Sequence, residues 1–522
     1  MARPCVEPVY PVSMTLAPDT VDAATADVVV LGGGPAGAAA ARLVARAGHS
    51  VVVLTRPASR HSLAESLPPS AFRLLDRIGV REAIDRAGYI RSTGNTVWWG
   101  TADVRVEAFG DGALGWQIPR RDFDELMLAE AEQAGASVVR GAVVREVVGR
   151  ASGEASWVVR YDHSKRTDAI SARWVLDCTG RAGFLARREW RQPAPAGRTL
   201  ALVGIWERRG GWSTLADATH TLVESYDGGW AWSVPDSRIR RYVTVMVDPA
   251  LTSVRGGGGS AGLTTVYDAE LAKATRLHGL VRSPPNAAHR SAAPFARDAS
   301  SYSASRFADD GVLLVGDAAS FVDPLSSFGI KKALSSAWLA SVVVHTALTD
   351  AAMRSPAIEL FERRERAMYD GLQRRFAELS RDAAGDAATD FWRARVGGDL
   401  PDPGEPDTVG LRQDAQVLAA LDAMRGRQSV SFRPAAALRR VERPTVRDDR
   451  VALEEHLAVP AFREGVRYIR SVDLVKIVSL APAHDQVADL YAAYNRAAGP
   501  APLPDFLGAL AVLVGKGMLD LT

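Results

Sequence analysis

Residues 27–54, DVVVLGGGPAGAAAARLVARAGHSVVVL, decide the fold. They predict a buried strand, a glycine turn, an alanine-rich helix with Ala36 in its first turn, and a second buried strand. Gly32, Gly34 and Gly37 fill the spacing G-x-G-x-x-G. In this spacing the first glycine permits a tight turn, the second lets backbone approach a pyrophosphate, and the third lets helix and strand pack closely. The stretch therefore predicts a dinucleotide-binding βαβ unit.

A second stretch, RGGGGSAGL at 255–263, also fits the spacing at Gly257, Gly259 and Gly262. It follows DPALTSV rather than an apolar strand, and we expect no alanine-rich helix after it. We therefore predict a flexible loop there.

Composition bounds the class of protein. The chain has 522 residues, of which 47% are hydrophobic and 24% charged, typical of a globular protein of two or three domains. A net charge of +2 disfavours nucleic acid as a partner. The two cysteines, Cys5 and Cys178, favour a reducing compartment without a disulfide framework or zinc site. Residues 1–25 lack the pattern of a targeting peptide, and the apolar runs are short, so we expect a cytoplasmic protein without a membrane partner.

The order of patterns predicts an α/β fold with a second, α+β domain. A Rossmann-like nucleotide-binding domain carries an antiparallel-sheet substrate domain, and a small helical module like a winged helix follows. The predicted parts are a flexible leader at 1–26, the nucleotide-binding domain at 27–200 and 296–350 with a sheet insertion near 90–118, the substrate domain at 201–295, a long helix at 351–397, a linker at 398–410 and the C-terminal module at 411–522.

Several polar positions are candidates for contacts to a nucleotide. Thr55, followed by Arg56, stands where such folds usually place an acidic residue for ribose hydroxyls. Gly180 follows the apolar strand ARWVLDCTG and predicts a turn on the nucleotide side of the sheet. Asp317, in VLLVGDAAS, is placed to accept hydrogen bonds from sugar hydroxyls, with a helix cap as the alternative. A helix beginning near Phe328 and Gly329 can direct its N-terminus at a ring system.

Several motifs in this order resemble a known family. The βαβ unit, RDFDELML and GDAASFVDP resemble the FAD-dependent monooxygenases of the p-hydroxybenzoate hydroxylase class. Within that class, ESLPPSAFRLLDRIG, NTVWWG, WAWSVP and DPLSSFGIKKAL resemble the tryptophan-halogenase-like branch. The resemblance implies that the glycine turn holds the pyrophosphate of FAD and that Arg120 and Asp317 contact the cofactor. It also implies that the stretch from Pro324 through Gly329 to Ile330 lies along the isoalloxazine ring.

The chain departs from true halogenases at three positions. It has no lysine before Lys165, whereas halogenases place an active-site lysine in the stretch that matches GYIRSTGNTVWWG. Ser326 stands in the segment where tryptophan halogenases carry a glutamate, and Phe328 replaces the small residue that helps to seat the halide. The chain more closely resembles the lysine-lacking flavoproteins that modify tryptophan in a partner protein during quinone-cofactor maturation, so we expect oxygenation.

The resemblance implies that reduced FAD and O₂ form a C4a-hydroperoxide, which hydroxylates an electron-rich aromatic ring. Trp98, Trp230 and Trp232 are candidates for the substrate wall, although a single tryptophan is more often part of a core. His61 and Glu65 are candidate bases, Phe328 is a further candidate, and the catalytic residue stays unassigned.

The partners stay open at this stage. The substrate is either a small aromatic molecule or a group tethered to a peptide or carrier protein, and electrons come from NAD(P)H or from a partner flavin reductase. The alternatives are a halogenase with a displaced lysine such as Lys331, and a non-catalytic flavin-binding docking protein.

Overall fold

The computed structural model describes residues 24–57, 62–100, 103–149, 157–194, 197–212, 217–252, 259–282, 288–326, 328–385, 389–396, 411, 414–425 and 429–521. The chain divides into two compact units, Met1–Arg354 with Phe361–Leu400, and Ser355–Leu360 with Pro401–Thr522. The predicted leader up to residue 23, His61 and the predicted linker at 398–410 lie outside the described residues.

The first part of the first unit contains the dinucleotide-binding elements. In chain order they are β1 (Ala24–Leu31), α1 (Pro35–Arg46), β2 (Val51–Thr55), β3 (Ala64–Leu67), α2 (Phe72–Ile78), α3 (Arg81–Arg86), β4 (Ile90–Ser92), β5 (Gly94–Trp98), β6 (Arg105–Ala108), β7 (Gly115–Pro119), α4 (Arg120–Gln133), β8 (Ser137–Arg140), β9 (Val143–Gly149), β10 (Trp157–His163), β11 (Arg166–Asp177), α5 (Ala186–Glu189) and β12 (Arg191–Pro193).

The chain from residue 200 to 396 begins with a run of strands and ends in helices, and it belongs to the first unit except for Ser355–Leu360 within α9. These elements are β13 (Leu200–Glu207), β14 (Thr221–Tyr226), β15 (Gly229–Pro235), β16 (Arg240–Val247), α6 (Gly259–Lys273), α7 (Thr275–Arg282), β17 (His289–Arg290), β18 (Phe295–Asp298), β19 (Tyr302–Ala304), β20 (Ala308–Asp309), β21 (Val312–Leu314), β22 (Ser320–Phe321), α8 (Gly329–Thr349), α9 (Arg354–Ala384) and α10 (Asp390–Val396).

The nucleotide sheet has the order β20-β21-β11-β1-β2-β8, with β10 and β9 continuing from β11. The β1 strand is parallel to both β11 and β2, and β21 is parallel to β11, so their carboxyl ends share one edge. Val28, Val29 and Val30 are fully buried, as the continuous apolar run requires for a central parallel strand. The α/β fold class predicted from residues 27–54 is confirmed.

The first unit also contains a second sheet. Its order is β17-β13-β16-β15-β14-β5-β6, with β18 also paired to β13. The β5 and β6 strands thus join the predicted substrate sheet, because β5 pairs in parallel with β14. The other two strands near 90–118, β4 and β7, form a small sheet with β3 in the order β3-β7-β4. The predicted insertion is therefore divided between two sheets.

Three boundaries differ from the prediction. Residues 24–26 already belong to β1, so they are not part of a leader. The predicted single helix at 351–397 comprises α9, α10 and a short turn at Ala351–Met353. Gly259 and Gly262 lie in α6, so this part of the second glycine-rich stretch is helical and not a loop.

The second unit has its own hydrophobic core. Its elements are α11 (Ala415–Met424), β23 (Phe432–Pro434), β24 (Arg439–Arg447), β25 (Arg450–Val459), β26 (Phe462–Val466), β27 (Tyr468–Ile469), β28 (Val472–Asp473), α12 (Leu474–Leu480), α13 (Val487–Ala498), α14 (Leu503–Gly515) and β29 (Leu519–Leu521). The α12, α13 and α14 helices lie within the module predicted at 411–522. The β24-β25-β26 sheet is an addition to the predicted helical module.

Across the described ranges, no single helix combines the length and apolar character needed to cross a bilayer. One pair, α13 and α14, reaches that length only when the two are taken together, and it is bent by 105° at the break.

Candidate functional site

The glycine turn between β1 and α1 shows why three glycines are needed. Gly32 has φ of +100°, and a Cβ atom there would lie 2.5 Å from the Cys178 carbonyl oxygen. A Cβ atom on Gly37 would lie 1.9 Å from the Gly32 carbonyl oxygen, so helix and strand touch at this point. At Gly34 the nearest atom to such a Cβ would be Arg120 Nη2, at 3.9 Å. The turn therefore leaves space before the N-terminus of α1, where a pyrophosphate fits.

Thr55 lies beside this turn, at the end of β2. A Cβ atom on Gly33 would lie 2.7 Å from Thr55 Oγ1, which places the hydroxyl against the glycine turn. Arg56 follows it and is exposed. Thr55 thus stands at the position that the fold reserves for a ribose contact.

Arg120 is held between two carboxylates at the start of α4. Its Nη1 donates to Glu65 Oε1 at 2.5 Å, while Nε and Nη2 donate to the two oxygens of Asp124 at 3.0 and 3.1 Å. Burial raises the pKa of Asp124, and the Arg120 guanidinium opposes that shift. The bidentate pair with Asp124 and the bond to Glu65 fix the orientation of the guanidinium group. Arg120 Nη2 is the atom nearest to the space at Gly34.

Glu65 connects this cluster to the N-terminus of α8. A Cβ atom on Gly329 would have Glu65 Oε2 as its nearest neighbour, at 3.6 Å. Before α8, Pro324 begins a short turn, Phe328 is 36% exposed and Ile330 is buried. The structure thus brings Gly34, Arg120, Glu65 and Gly329 into one neighbourhood.

Asp317 follows β21 in a tight turn at Gly316–Ala318. A Cβ atom on Gly316 would lie 3.4 Å from the Ala36 Cβ atom, so this turn packs against the first turn of α1. The Asp317 side chain caps no helix and contacts Lys332 Nζ at 3.3 Å through Oδ1. Among the described residues Oδ2 has no hydrogen-bond partner, so it is available to a sugar hydroxyl.

Gly180 begins a turn directly after β11, with φ of +61°. The fully buried Asp177 organises the residues around it. Asp177 Oδ1 accepts from the backbone N and Oγ1 of Thr179 at 3.0 and 2.6 Å, and Oδ2 accepts from the backbone N of Leu185 at 2.7 Å. A Cβ atom on Gly180 would meet nothing within 4 Å, so the predicted turn borders open space.

The sheet register corrects one substrate-wall assignment. Trp98 is paired with Glu224, whose carboxylate accepts from the backbone N–H groups of Arg276 and Leu277 in α7 at 3.0 and 2.9 Å. Trp98 therefore faces α7 and packs in the cluster beneath the helices, away from Trp230 and Trp232. The adjacent Trp99 packs against Trp230 instead, with ring centroids 6.4 Å apart.

Trp230 and Trp232 lie on the opposite face, in a cluster that also contains Phe321 and Leu325 of the loop before α8. Trp230 is 1% exposed, so its main role is in the core, whereas Trp232 is partly exposed. Contact with a substrate stays a prediction for both.

Two further residues were missed or misjudged from the sequence. Lys332, which the sequence did not single out, is only 4% exposed and bonds to the Gly316 carbonyl oxygen. Asp323, which precedes Pro324, is 2% exposed, and burial raises its pKa to about 7. The apolar neighbours of both residues in sequence were the available signal for burial.

The space at Gly34, the fixed Arg120 guanidinium and the free Asp317 oxygen fit a dinucleotide with sugar hydroxyls. Together with the parallel sheet they define a dinucleotide-binding fold. The chain belongs to the FAD binding domain family, whose sequence profile matches residues 25–355.

The similarity to individual proteins supports the tryptophan-halogenase-like branch. The tryptophan 2-halogenase of Chondromyces crocatus is 26% identical over 356 residues, which cover 64% of each chain, so the match spans less than two thirds of that relative. The flavin-dependent halogenase CmlS has the same fold with a TM-score of 0.75 and 21% identity, covering 95% of this chain and 96% of that one. The peptidyl tryptophan dihydroxylase QhpG, essential for tryptophylquinone cofactor biogenesis, has a TM-score of 0.65 and 24% identity, covering 95% and 100%.

Proposed function

We propose that this protein is an FAD-dependent monooxygenase that hydroxylates an electron-rich aromatic ring of tryptophan or phenol type. The observation that carries the proposal is the placement of its lysines. The sequence has no lysine before Lys165, and Lys165 lies in the exposed turn between β10 and β11. Lys332 is buried, with its ammonium group bonded to protein oxygens. These positions supply no free ammonium group for the hypohalous acid on which halogenation depends.

Bound FAD would supply the activation of O₂ once it is reduced. The residues of the chain have other tasks. Arg120, fixed by Glu65 and Asp124, binds and orients the cofactor on the Gly34 side. The N-terminus of α8 directs its partial positive charge toward developing negative charge on the ring system. Val97, Val223 and Trp232 provide an apolar sheet face that excludes water from the reacting ring.

No side chain acts as a nucleophile in this reaction, and Glu65 positions Arg120 and the start of α8. Glu65 Oε1 accepts a hydrogen bond from Arg120 Nη1 at 2.5 Å, and Glu65 Oε2 lies near the backbone of Gly329. A carboxylate engaged in this way orients Arg120 and the start of α8 better than it removes a proton from a substrate.

The substrate in this proposal is either free or tethered to a peptide or carrier protein. A tethered substrate is motivated by the sequence resemblance to enzymes that modify tryptophan within a partner protein, and by the similar fold of a peptidyl tryptophan dihydroxylase. Electrons come from NAD(P)H directly or from a partner flavin reductase.

The test is a product assay with the FAD-loaded protein. The flavin is reduced chemically, then mixed with isotopically labelled O₂, chloride or bromide, and free or peptide-bound tryptophan and phenols. We expect products that gain labelled oxygen and whose yield is independent of halide. Halogenated products would contradict hydroxylation.

Halogenation by a displaced lysine is the second candidate, because of the position of Lys331. Its ammonium nitrogen lies 4.6 Å from the centroid of the Phe328 ring and donates to Ser70 Oγ at 3.3 Å. Burial lowers the pKa of Lys331, which would favour a reactive neutral amine. If Lys331→Met abolishes a halide-dependent product while FAD stays bound, this second candidate replaces the first.

A further inference from the structure

The buried ammonium group of Lys332 is fully engaged. Lys332 lies in the first turn of α8, and its side chain is 4% exposed. Its Nζ donates to the carbonyl oxygen of Gly316 at 3.1 Å, to Asp317 Oδ1 at 3.3 Å and to the carbonyl oxygen of Ser320. An ammonium group has three donors, and a buried one requires acceptors for each of them. Here two of the three acceptors belong to the turn that carries Asp317, and the third, the Ser320 carbonyl oxygen, lies at the start of β22, which follows that turn.

Ser336 holds the same turn from the next turn of the helix. Its Oγ accepts a hydrogen bond from the backbone N–H of Gly316 at 2.9 Å. Lys332 and Ser336 stand at positions i and i+4, so they lie on one face of α8. The amide and the carbonyl of Gly316 are therefore both bound by side chains of this helix.

Gly316 allows this close approach. Its φ is +64°, and a Cβ atom would lie 3.3 Å from Ala333 Cα and 3.4 Å from Ala36 Cβ. The turn is packed between α1, which begins at the glycine turn, and α8. Any rotation of the turn would move the Asp317 carboxylate relative to the N-terminus of α1.

A second carboxyl group faces the same ammonium from α9. Glu365 is 1% exposed, and burial raises its pKa to about 7 against the attraction of Lys332. Asp317 is the partner in hydrogen-bond contact, and its other oxygen is free among the described residues. Lys332 thus engages one oxygen of the Asp317 carboxylate and leaves the other for a ligand.

We propose that Lys332, assisted by Ser336, is a positioning residue for the cofactor that acts through Asp317. Lys332 holds the Asp317 carboxylate at the angle at which its free oxygen accepts from a sugar hydroxyl of FAD. This inference rests on the FAD binding assumed in the proposed function. It assigns to Lys332 a role in cofactor affinity without contact to the reacting atoms.

A double-mutant cycle on FAD affinity tests the inference. The FAD Kd is measured by quenching of flavin fluorescence for the wild type, Lys332→Met, Asp317→Ala and the double variant. Lys331→Met is the matched control, because Lys331 is the adjacent residue and bonds to Ser70 instead. We expect Lys332→Met and Asp317→Ala each to raise Kd about tenfold or more, with Lys331→Met within about twofold of the wild type. In the Asp317→Ala background, Lys332→Met should change Kd by less than about twofold.

Additive effects of the two substitutions, or an unchanged Kd for Lys332→Met, would overturn the inference. The melting temperature of each apoprotein distinguishes a purely structural role of Lys332. Such a role would lower the melting temperature, but the effects of the two substitutions on Kd would not be coupled. If Lys332→Met does not fold, the same cycle is run with Ser336→Ala, which should raise Kd and again lose its effect when Asp317 is absent. An unchanged Kd for Ser336→Ala would also overturn it. Failure of the wild type to bind FAD would refute the proposed function itself.

Discussion

Gly34 and Gly37 lie one helical turn apart but meet different requirements. Gly34 has φ of −76° and ψ of −172°, which alanine adopts readily, and a Cβ atom there would meet nothing closer than 3.9 Å. A Cβ atom on Gly37 would overlap the Gly32 carbonyl oxygen at 1.9 Å. The packing of the fold therefore requires glycine at position 37, whereas at Gly34 it leaves space in which a ligand could lie.

We expect Gly34→Ala to keep the stability of the apoprotein and to raise the FAD Kd about tenfold or more, because its methyl group occupies the space for the pyrophosphate. Gly37→Ala should instead destabilise the apoprotein by about 3 kcal/mol or more, since backbone must move. Urea unfolding and flavin fluorescence measure the two effects. Equal losses of stability in both variants would contradict this division.

The buried carboxyl group of Asp323 should make the free energy of unfolding depend on pH. Burial raises its pKa from 3.8 to about 7, opposed by Arg395, the backbone N–H of Leu325 and Trp230. Because the folded state retains this proton to a higher pH than the unfolded state, the contribution of Asp323 to stability falls as pH rises from 3.8 to about 7. The full penalty is then present at higher pH.

Asp323→Asn removes this penalty. We expect the variant to exceed the wild type in free energy of unfolding by about 1–3 kcal/mol at about pH 8, with a smaller difference at about pH 5. Urea denaturation at the two pH values measures the difference. Asp76→Asn is the control, because Asp76 is an exposed partner of Arg81 and should show no such pH dependence. A pH-independent difference for Asp323→Asn would refute the assignment.

At the scale of elements, the register of β5 determines which tryptophan faces which layer. Val97, Val223 and Trp232 are aligned across β5, β14 and β15, and so are Trp98, Glu224 and Ala231. Adjacent residues of a strand point to opposite faces, so a shift of one residue exchanges the two layers. The sequence NTVWWG contains two adjacent tryptophans and no signal that distinguishes them.

Trp98→Leu and Trp232→Leu should therefore differ in effect. We expect Trp98→Leu to lower stability by about 1–3 kcal/mol, through lost packing under α6 and α7, and to leave the substrate KM unchanged. Trp232→Leu should raise KM about tenfold in the product assay, because its face lies toward the loop that contains Leu325. If Trp98→Leu changes KM without lowering stability, Trp98 belongs to the substrate wall.

Local patterns predicted the elements that hold the nucleotide. The apolar strand, the glycine spacing and the alanine-rich helix are all consecutive in sequence, so each supports the others. The contacts among Gly34, Arg120, Glu65 and Gly329 join four separate segments, and only the family resemblance connected them beforehand. The burial of Lys332 was missed because a lysine in the first turn of a helix is usually exposed, and two of its three acceptors are backbone carbonyl oxygens that a sequence does not reveal.

At the scale of the whole molecule, the chain builds more than one core. The residues that form the core of the second unit all lie between Leu411 and Leu519, and they include Phe432, Phe506 and Tyr494. The nucleotide sheet and its glycine turn lie entirely in the first unit. Flavin binding and the C-terminal module therefore depend on different parts of the chain.

We expect a fragment comprising residues 401–522 to fold without the rest of the chain. Its core is complete within the fragment, and buried apolar surface is the main source of stability for a domain of this size. The fragment should unfold cooperatively in urea, show dispersed amide signals in NMR and bind no FAD. Phe506→Ala, at a fully buried position, should lower its free energy of unfolding by about 3–5 kcal/mol, whereas Leu503→Ala, at an exposed position, should change it by less than about 1 kcal/mol. A fragment with poorly dispersed signals and no cooperative transition would show that this core needs residues outside 401–522, of which Ser355–Leu360 are the first to add.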